Sequence, residues 1–129
     1  PEYWWTEKAI LARRALQEGY ITDAYRLVAN HGQTEPADIA GAEWLAGWIA
    51  LEFLGDSQIA LQHFQNLYDV VQYPISQSRG AYWAGRACKA MGDKARARKW
   101  FLLAAAQSIT RSSRPTPQMN KENVLKTMN

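Results

Sequence analysis

Gly19, Gly55 and Gly92 stand 36 and 37 residues apart. Five residues beyond each glycine comes an alanine: Ala24, Ala60 and Ala97. Nine residues beyond comes a larger apolar residue: Val28, Phe64 and Phe101. An Asp directly follows the last two glycines, as Asp56 and Asp93. A fixed period of this length is the mark of a repeated supersecondary unit. The physical logic is that of a helical hairpin. The glycine makes the turn, because it alone takes the left-handed backbone without strain. The alanine lets the second helix approach the first, and the large residue one turn later fills the space above it.

Helix punctuation supports this division. Thr6 precedes an apolar run that ends at Gly19, and Thr22 is placed to cap a short helix to Asn30, closed near Gly32. Thr34, Glu35 and Pro36 open what reads as the longest helix, stopped at Gly55. Asp56 caps a fourth helix to Val71, before Pro74. Ser76 opens a fifth to Gly92, and Asp93 caps a sixth ending near Gln107. Each start offers a side-chain oxygen to the free N–H groups of the first turn. Apolar residues recur at helical spacing (Trp44, Trp48 and Leu51; Ile59, Phe64 and Leu67; Tyr82, Ala87 and Met91), and no segment alternates like a strand. The expected fold is all-α: about three antiparallel helix pairs over residues 1–107, stacked as a right-handed α-superhelix, a solenoid of the tetratricopeptide type. Residues 108–129 read as a flexible tail, Ser/Arg/Pro-rich from Arg111 to Pro117, with a weak terminal helix near 120–128.

Composition narrows the chemistry. A single cysteine, Cys88, excludes an internal disulfide framework and reads as core filler among Ala84, Ala87 and Met91. No apolar stretch is long enough to span a bilayer, and no signal peptide is visible. The chain begins at Pro1 rather than Met, which points to a fragment or a processed product. Charge is polarised. Residues 1–78 carry four Lys or Arg against ten acids, net −6, and residues 79–129 carry eleven against two, net +9. A basic half of this kind steers toward anionic partners. The acidic first half and the lack of a nucleic-acid module argue against nucleic-acid binding.

Catalytic signatures are missing. There is no Gly-rich phosphate loop after a strand, no His/Cys cluster at metal-ligand spacing and no defensible nucleophilic triad. Neither a metal nor a cofactor is expected. Glu43 and Glu52 lie nine residues apart and so face opposite sides of a helix, which argues against a paired-carboxylate site. The run Lys94, Arg96, Arg98 and Lys99 reads as a solvated face. Arg79, Tyr82, Trp83 and Arg86 combine basic and aromatic groups that could stack on and hydrogen-bond a sugar or base, although core packing is the simpler use of the rings.

Two long aromatic stretches carry a family resemblance. They are Glu43-Trp44-Leu45-Ala46-Gly47-Trp48-Ile49-Ala50-Leu51, and Tyr73-Pro74-Ile75-Ser76 continuing through Arg79-Gly80-Ala81-Tyr82-Trp83-Ala84-Gly85-Arg86-Ala87. With Ala24–Ala29, His31-Gly32 and Ala104–Gln107, they make residues 7–107 similar to the helical domain of soluble lytic murein transglycosylases of the alphaproteobacterial type. The resemblance implies a periplasmic protein whose superhelical domain precedes a lysozyme-like domain. In that family the second domain cleaves peptidoglycan between N-acetylmuramic acid and N-acetylglucosamine, with one glutamate as acid and then base, leaving a 1,6-anhydromuramoyl product. The Glu-Ser and Gly-Leu-Met-Gln motifs of that domain do not occur here, so no catalytic residue is carried over.

The reading is therefore a non-catalytic module that embraces peptidoglycan for a catalytic domain outside this chain. Arg79 and Arg86, with Tyr82 and Trp83, are its candidate binding residues, because guanidinium groups match the carboxylates of the peptide stems. The alternative is a general scaffold that takes a protein segment in its concave groove. Incubated alone with purified sacculi, the chain is expected to release no anhydromuropeptides. Their appearance in the supernatant, read by mass spectrometry, would contradict a non-catalytic role.

Overall fold

The computed structural model describes residues 3–71 and 74–112. Six helices account for nearly all of them: α1 (Tyr3–Gln17), α2 (Ile21–Ala29), α3 (Pro36–Glu52), α4 (Ser57–Val70), α5 (Pro74–Ala90) and α6 (Lys94–Ser112). No strand occurs among the described residues.

The three repeat glycines are where the chain turns. Gly19, Gly55 and Gly92 have φ of 89°, 66° and 81°. At Gly19 and Gly92 the turn has the same hydrogen bonds: Tyr20 N–H reaches back to Ala15 O (2.8 Å) and Asp93 N–H to Cys88 O (3.0 Å). These bonds satisfy carbonyls the helix end leaves open. The Gly55 turn is one residue wider, with Leu54 N–H on Ile49 O and Asp56 N–H on Ala50 O. Asp56 and Asp93 cap the helices that follow, accepting from Ile59 N–H (3.1 Å) and Arg96 N–H (3.0 Å).

The other expected caps are not used. Thr6 lies inside α1, and α2 starts at Ile21, ahead of Thr22, with no side-chain cap. Glu35 rather than Thr34 holds the cap position of α3, again without a side-chain bond, and Ser76 lies inside α5. The reason at α3 and α5 is proline. Pro36 and Pro74 open the first turn, lose no hydrogen bond there and are already bent to helical φ. α6, at 19 residues, is the longest helix, not α3. It continues to Ser112, five residues past Gln107, so the expected tail is helical at its start. The expected terminal helix near 120–128 lies outside the described residues.

Each helix packs chiefly against its neighbours in the chain, and α1 also touches α3. Contacts within pairs run in opposite directions. Gly85 meets Phe101 while Ser78 Oγ donates to Ala104 O (2.9 Å), so α5 and α6 are antiparallel. Two buried clusters result. One joins Ala12, Ala24, Val28, Leu45, Ala46 and Ile49; the other joins Ala50, Ala60, Leu61, Phe64, Ala84, Ala87, Cys88 and Ala97. All three repeat alanines are buried, and Cys88 is core filler. Tyr25 and Trp44 pack against both clusters and bridge them.

The close approach inside pairs depends on a second glycine that the repeat pattern does not reveal. A Cβ on Gly47 would lie 2.6 Å from the Phe64 ring, and a Cβ on Gly85 would lie 2.6 Å from the Phe101 ring. Each repeat phenyl therefore packs directly against bare backbone of the preceding helix. Phe64 is fully buried and has nowhere to go, whereas Phe101 is partly exposed. Gly47→Ala should therefore destabilise the chain by about 1–3 kcal/mol through overpacking. Gly85→Ala should cost less, because Phe101 can swing aside and alanine favours helix by about 1 kcal/mol over glycine. Urea unfolding of the two variants checks the order.

Candidate binding cleft and its buried acid

α1, α3, α4 and α5 enclose a cleft of about 800 Å³. Its lining carries two indoles, Trp5 and Trp44, and two guanidinium groups, Arg13 and Arg79. Small residues make room for it. Ala37, Ala40 and Gly41 present α3 as nearly bare backbone, and the Trp5 indole nitrogen would sit 3.0 Å from a Cβ at Gly41.

Trp44 is the floor shared by cleft and core. Its ring stacks on Trp48 (centroids 5.9 Å apart, 9° between planes) and meets Trp83 edge to face at 6.0 Å. Arg79 lies over the Trp44 ring, 5.4 Å from its centroid. Among the described residues, Trp44 Nε1 is the one buried side-chain nitrogen or oxygen with no hydrogen-bond partner. A donor left in that state costs free energy. Arg79 and Arg13 form no ion pair among the described residues, so their charge faces the cleft uncompensated. Guanidinium groups beside indoles suit a ligand with carboxylates and a flat, weakly polar surface.

The four candidates on α5 divide between different places. Arg79 lines the cleft. Trp83 is half-buried, packed between Trp44 and Phe64, and its ring is part of the core. Arg86 covers the other side of Trp83 at 4.6 Å and reaches Glu52 at 3.7 Å. Tyr82 is 46% exposed and leans on Phe101 (5.7 Å), so it borders a shallow groove between α5 and α6 rather than the cleft, and Arg79 lines that groove as well. Trp5 and Arg13 escaped the sequence reading, because α1 looks like an ordinary amphipathic helix until α3 and α5 are set beside it.

Below the cleft lies a polar cluster that no local motif announced. Glu43 on α3 is 9% exposed, the one buried charged residue among those described. Its Oε1 accepts from His31 Nε2 (3.2 Å), in the α2–α3 connection, and its Oε2 from His63 Nδ1 (2.6 Å), on α4. His63 Nε2 is 2.7 Å from the Tyr25 hydroxyl on α2. Burial opposes ionisation of Glu43, but the hydrogen bonds from His63 and then His31 outweigh it and hold the carboxyl below its usual range. Burial pushes the Tyr25 phenol up, helped by Asp56 and Glu43. A signal was present: an acid in the apolar run from Ala42 to Leu51 needs donors, and the chain has just two histidines.

Burial raises the Cys88 thiol, and both histidines are engaged with Glu43, so Cys88 has no base to activate it. Among the described residues, no group of three His, Cys, Asp or Glu is arranged to hold a metal ion, and no helix is long and apolar enough to cross a membrane. Comparisons with protein-family models, curated proteins and solved structures find no match for this chain.

A carboxyl held low in the folded state stabilises the fold fully above its ordinary value of 4.5, and that contribution fades as pH falls through the folded value. Glu43→Gln should therefore flatten the acid limb of a stability-against-pH curve measured by thermal melts. Glu43→Ala leaves two imidazoles without an acceptor and should lower stability at neutral pH by about 1–3 kcal/mol, more than Glu43→Gln does.

Proposed function

We propose that this chain is a non-catalytic helical module of a lytic murein transglycosylase, working in the periplasm. It holds peptidoglycan beside a glycan-cleaving domain that is not among its 129 residues. The observation that carries this reading is the pairing, in one cleft, of Trp5 and Trp44 with Arg13 and Arg79. Indoles suit the flat faces of sugar rings, and guanidinium groups suit the carboxylates of the peptide stems. The resemblance of residues 43–51 and 73–87 to the superhelical domain of that family supports the same reading. Stacking of the helix pairs as a right-handed solenoid of the tetratricopeptide type belongs to it. Neighbour-by-neighbour packing of six helices is what such an array needs.

A second reading rests on the rest of the lining. Pro36, Ala37, Leu45, Leu67, Val70 and Val71 make much of the wall apolar, which suits a protein segment. That segment could belong to the catalytic domain itself or to another partner.

Co-sedimentation with purified sacculi at low and moderate salt separates the two. On the wall-binding reading the chain pellets with sacculi at both salts. Arg79→Ala weakens binding roughly tenfold, the worth of one charge-assisted hydrogen bond. Arg86→Ala weakens it less, because Glu52 already engages that guanidinium. Absence of the chain from the pellet, or an Arg79→Ala variant that binds like the parent, would overturn this reading in favour of a protein-binding role.

A further inference from the structure

We propose that the cluster of His31, Glu43, His63 and Tyr25 makes the α2–α3 connection acid-sensitive: it is a latch on that connection, with His31 as its sensor.

The proton positions follow from what each ring nitrogen faces. His31 Nε2 faces Glu43 Oε1 and must carry a proton (3.2 Å). His31 Nδ1 faces the backbone N–H of Gln33 at 2.9 Å, which can only donate, so Nδ1 must be bare. His31 fits this site only as the neutral ring. His63 is different. Its Nδ1 faces Glu43 Oε2 and carries a proton, but its Nε2 faces the Tyr25 hydroxyl, which can donate or accept. When His63 gains a second proton the hydroxyl turns and accepts, and no bond is lost. When His31 gains one, two donors meet and the Gln33 bond breaks. One histidine therefore absorbs acid silently, and the other converts it into movement of the chain.

Charged and titratable groups face the cluster from each helix around it. Lys8 of α1 sends Nζ to the carbonyls of Asn30 and His31, 3.4 Å from each. Tyr25 comes from α2, Glu43 from α3 and His63 from α4, and Asp56 at the start of α4 acts on Tyr25. The Glu43 carboxylate faces both imidazoles alike. The asymmetry between the rings therefore lies in the partners of their outer nitrogens. Gln33 Nε2 donates to His31 O at 3.0 Å, so the connection is tied to His31 at both ends of that residue. It runs directly into Pro36 and Ala37 on the cleft, and the latch sets that rim whatever the cleft holds.

The test is NMR on the full chain between pH 8 and pH 5, reading imidazole nitrogen shifts and amide-exchange protection. At pH 8 His31 should carry its proton on Nε2 and His63 on Nδ1. As His31 protonates, protection of the Gln33 amide should fall about tenfold, the loss of one ordinary hydrogen bond, while core amides such as Phe64 keep theirs. The fall should persist in His63→Gln and be absent in His31→Gln. The proposal is overturned if His31 carries its proton on Nδ1 at pH 8. It is equally overturned if Gln33 stays protected once His31 is protonated, if all amides lose protection together, or if His31 stays neutral until the chain unfolds.

Discussion

Two helices can lie against each other only as closely as the groups between them allow, and in the second and third pairs that closeness is set by a ring on bare backbone. Phe64 rests on Gly47, and Phe101 rests on Gly85. With the phenyl seated on Gly47, α4 comes near enough to α3 for Ala60, Leu61 and Leu67 to be sealed from water. The same approach brings His63 within reach of Glu43. A longer side chain at Gly47 would push α4 outward and strand the carboxylate, so the apolar and polar parts of the interface depend on one contact.

The Glu43 cluster does work that apolar burial alone cannot do. Hydrophobic contact is non-directional and tolerates sliding between helices, whereas a carboxylate with two fixed acceptor positions tolerates little. Its partners come from the α2–α3 connection and from α4, with Tyr25 of α2 behind His63. It therefore fixes the first pair on the second at one register. No equivalent tie joins the second pair to the third among the described residues. There the contact is aromatic, through Trp44, Phe64 and Trp83, with Gly80 close to the backbone of Tyr68, one exposed ion pair (Arg86–Glu52, 3.7 Å) and a hydrogen bond from Gln77 to Val71 O.

The helical pairs were legible because the punctuation is written in residues with strong local physics: glycine at positive φ, aspartate at two helix starts, proline at two others. Caps at Thr34 and Ser76 misled because a proline two residues away had already settled the helix start; Thr6 and Thr22 lie inside their helices with no proline nearby. Gly47 and Gly85 were invisible as contacts, because a glycine inside a helix says nothing about which ring will cover it. The binding residues were half legible. Arg79, Tyr82, Trp83 and Arg86 fall on one stretch of helix and so look like one site, but neighbours on α3 and α6 divide them. Glu43 was visible as an anomaly, while its donors stand 12 and 20 residues away in opposite directions and meet only once the pairs stack.

Trp44 ties the cleft to the stability of the array. One indole packs against both buried clusters, stacks on Trp48, meets Trp83 and carries Arg79 on its open side. A ligand that enters beside Arg79 meets a ring already held from three directions, so little side-chain freedom is lost on binding. The guanidinium above it is less constrained, because Arg79 is exposed and without an ion pair among the described residues. A rigid aromatic floor under a movable cation favours ligands that vary in where their charge sits but share a flat face. The glycan strands with peptide stems that we propose as its ligand would have that character, with a repeating ring and a stem carboxylate at changing distance.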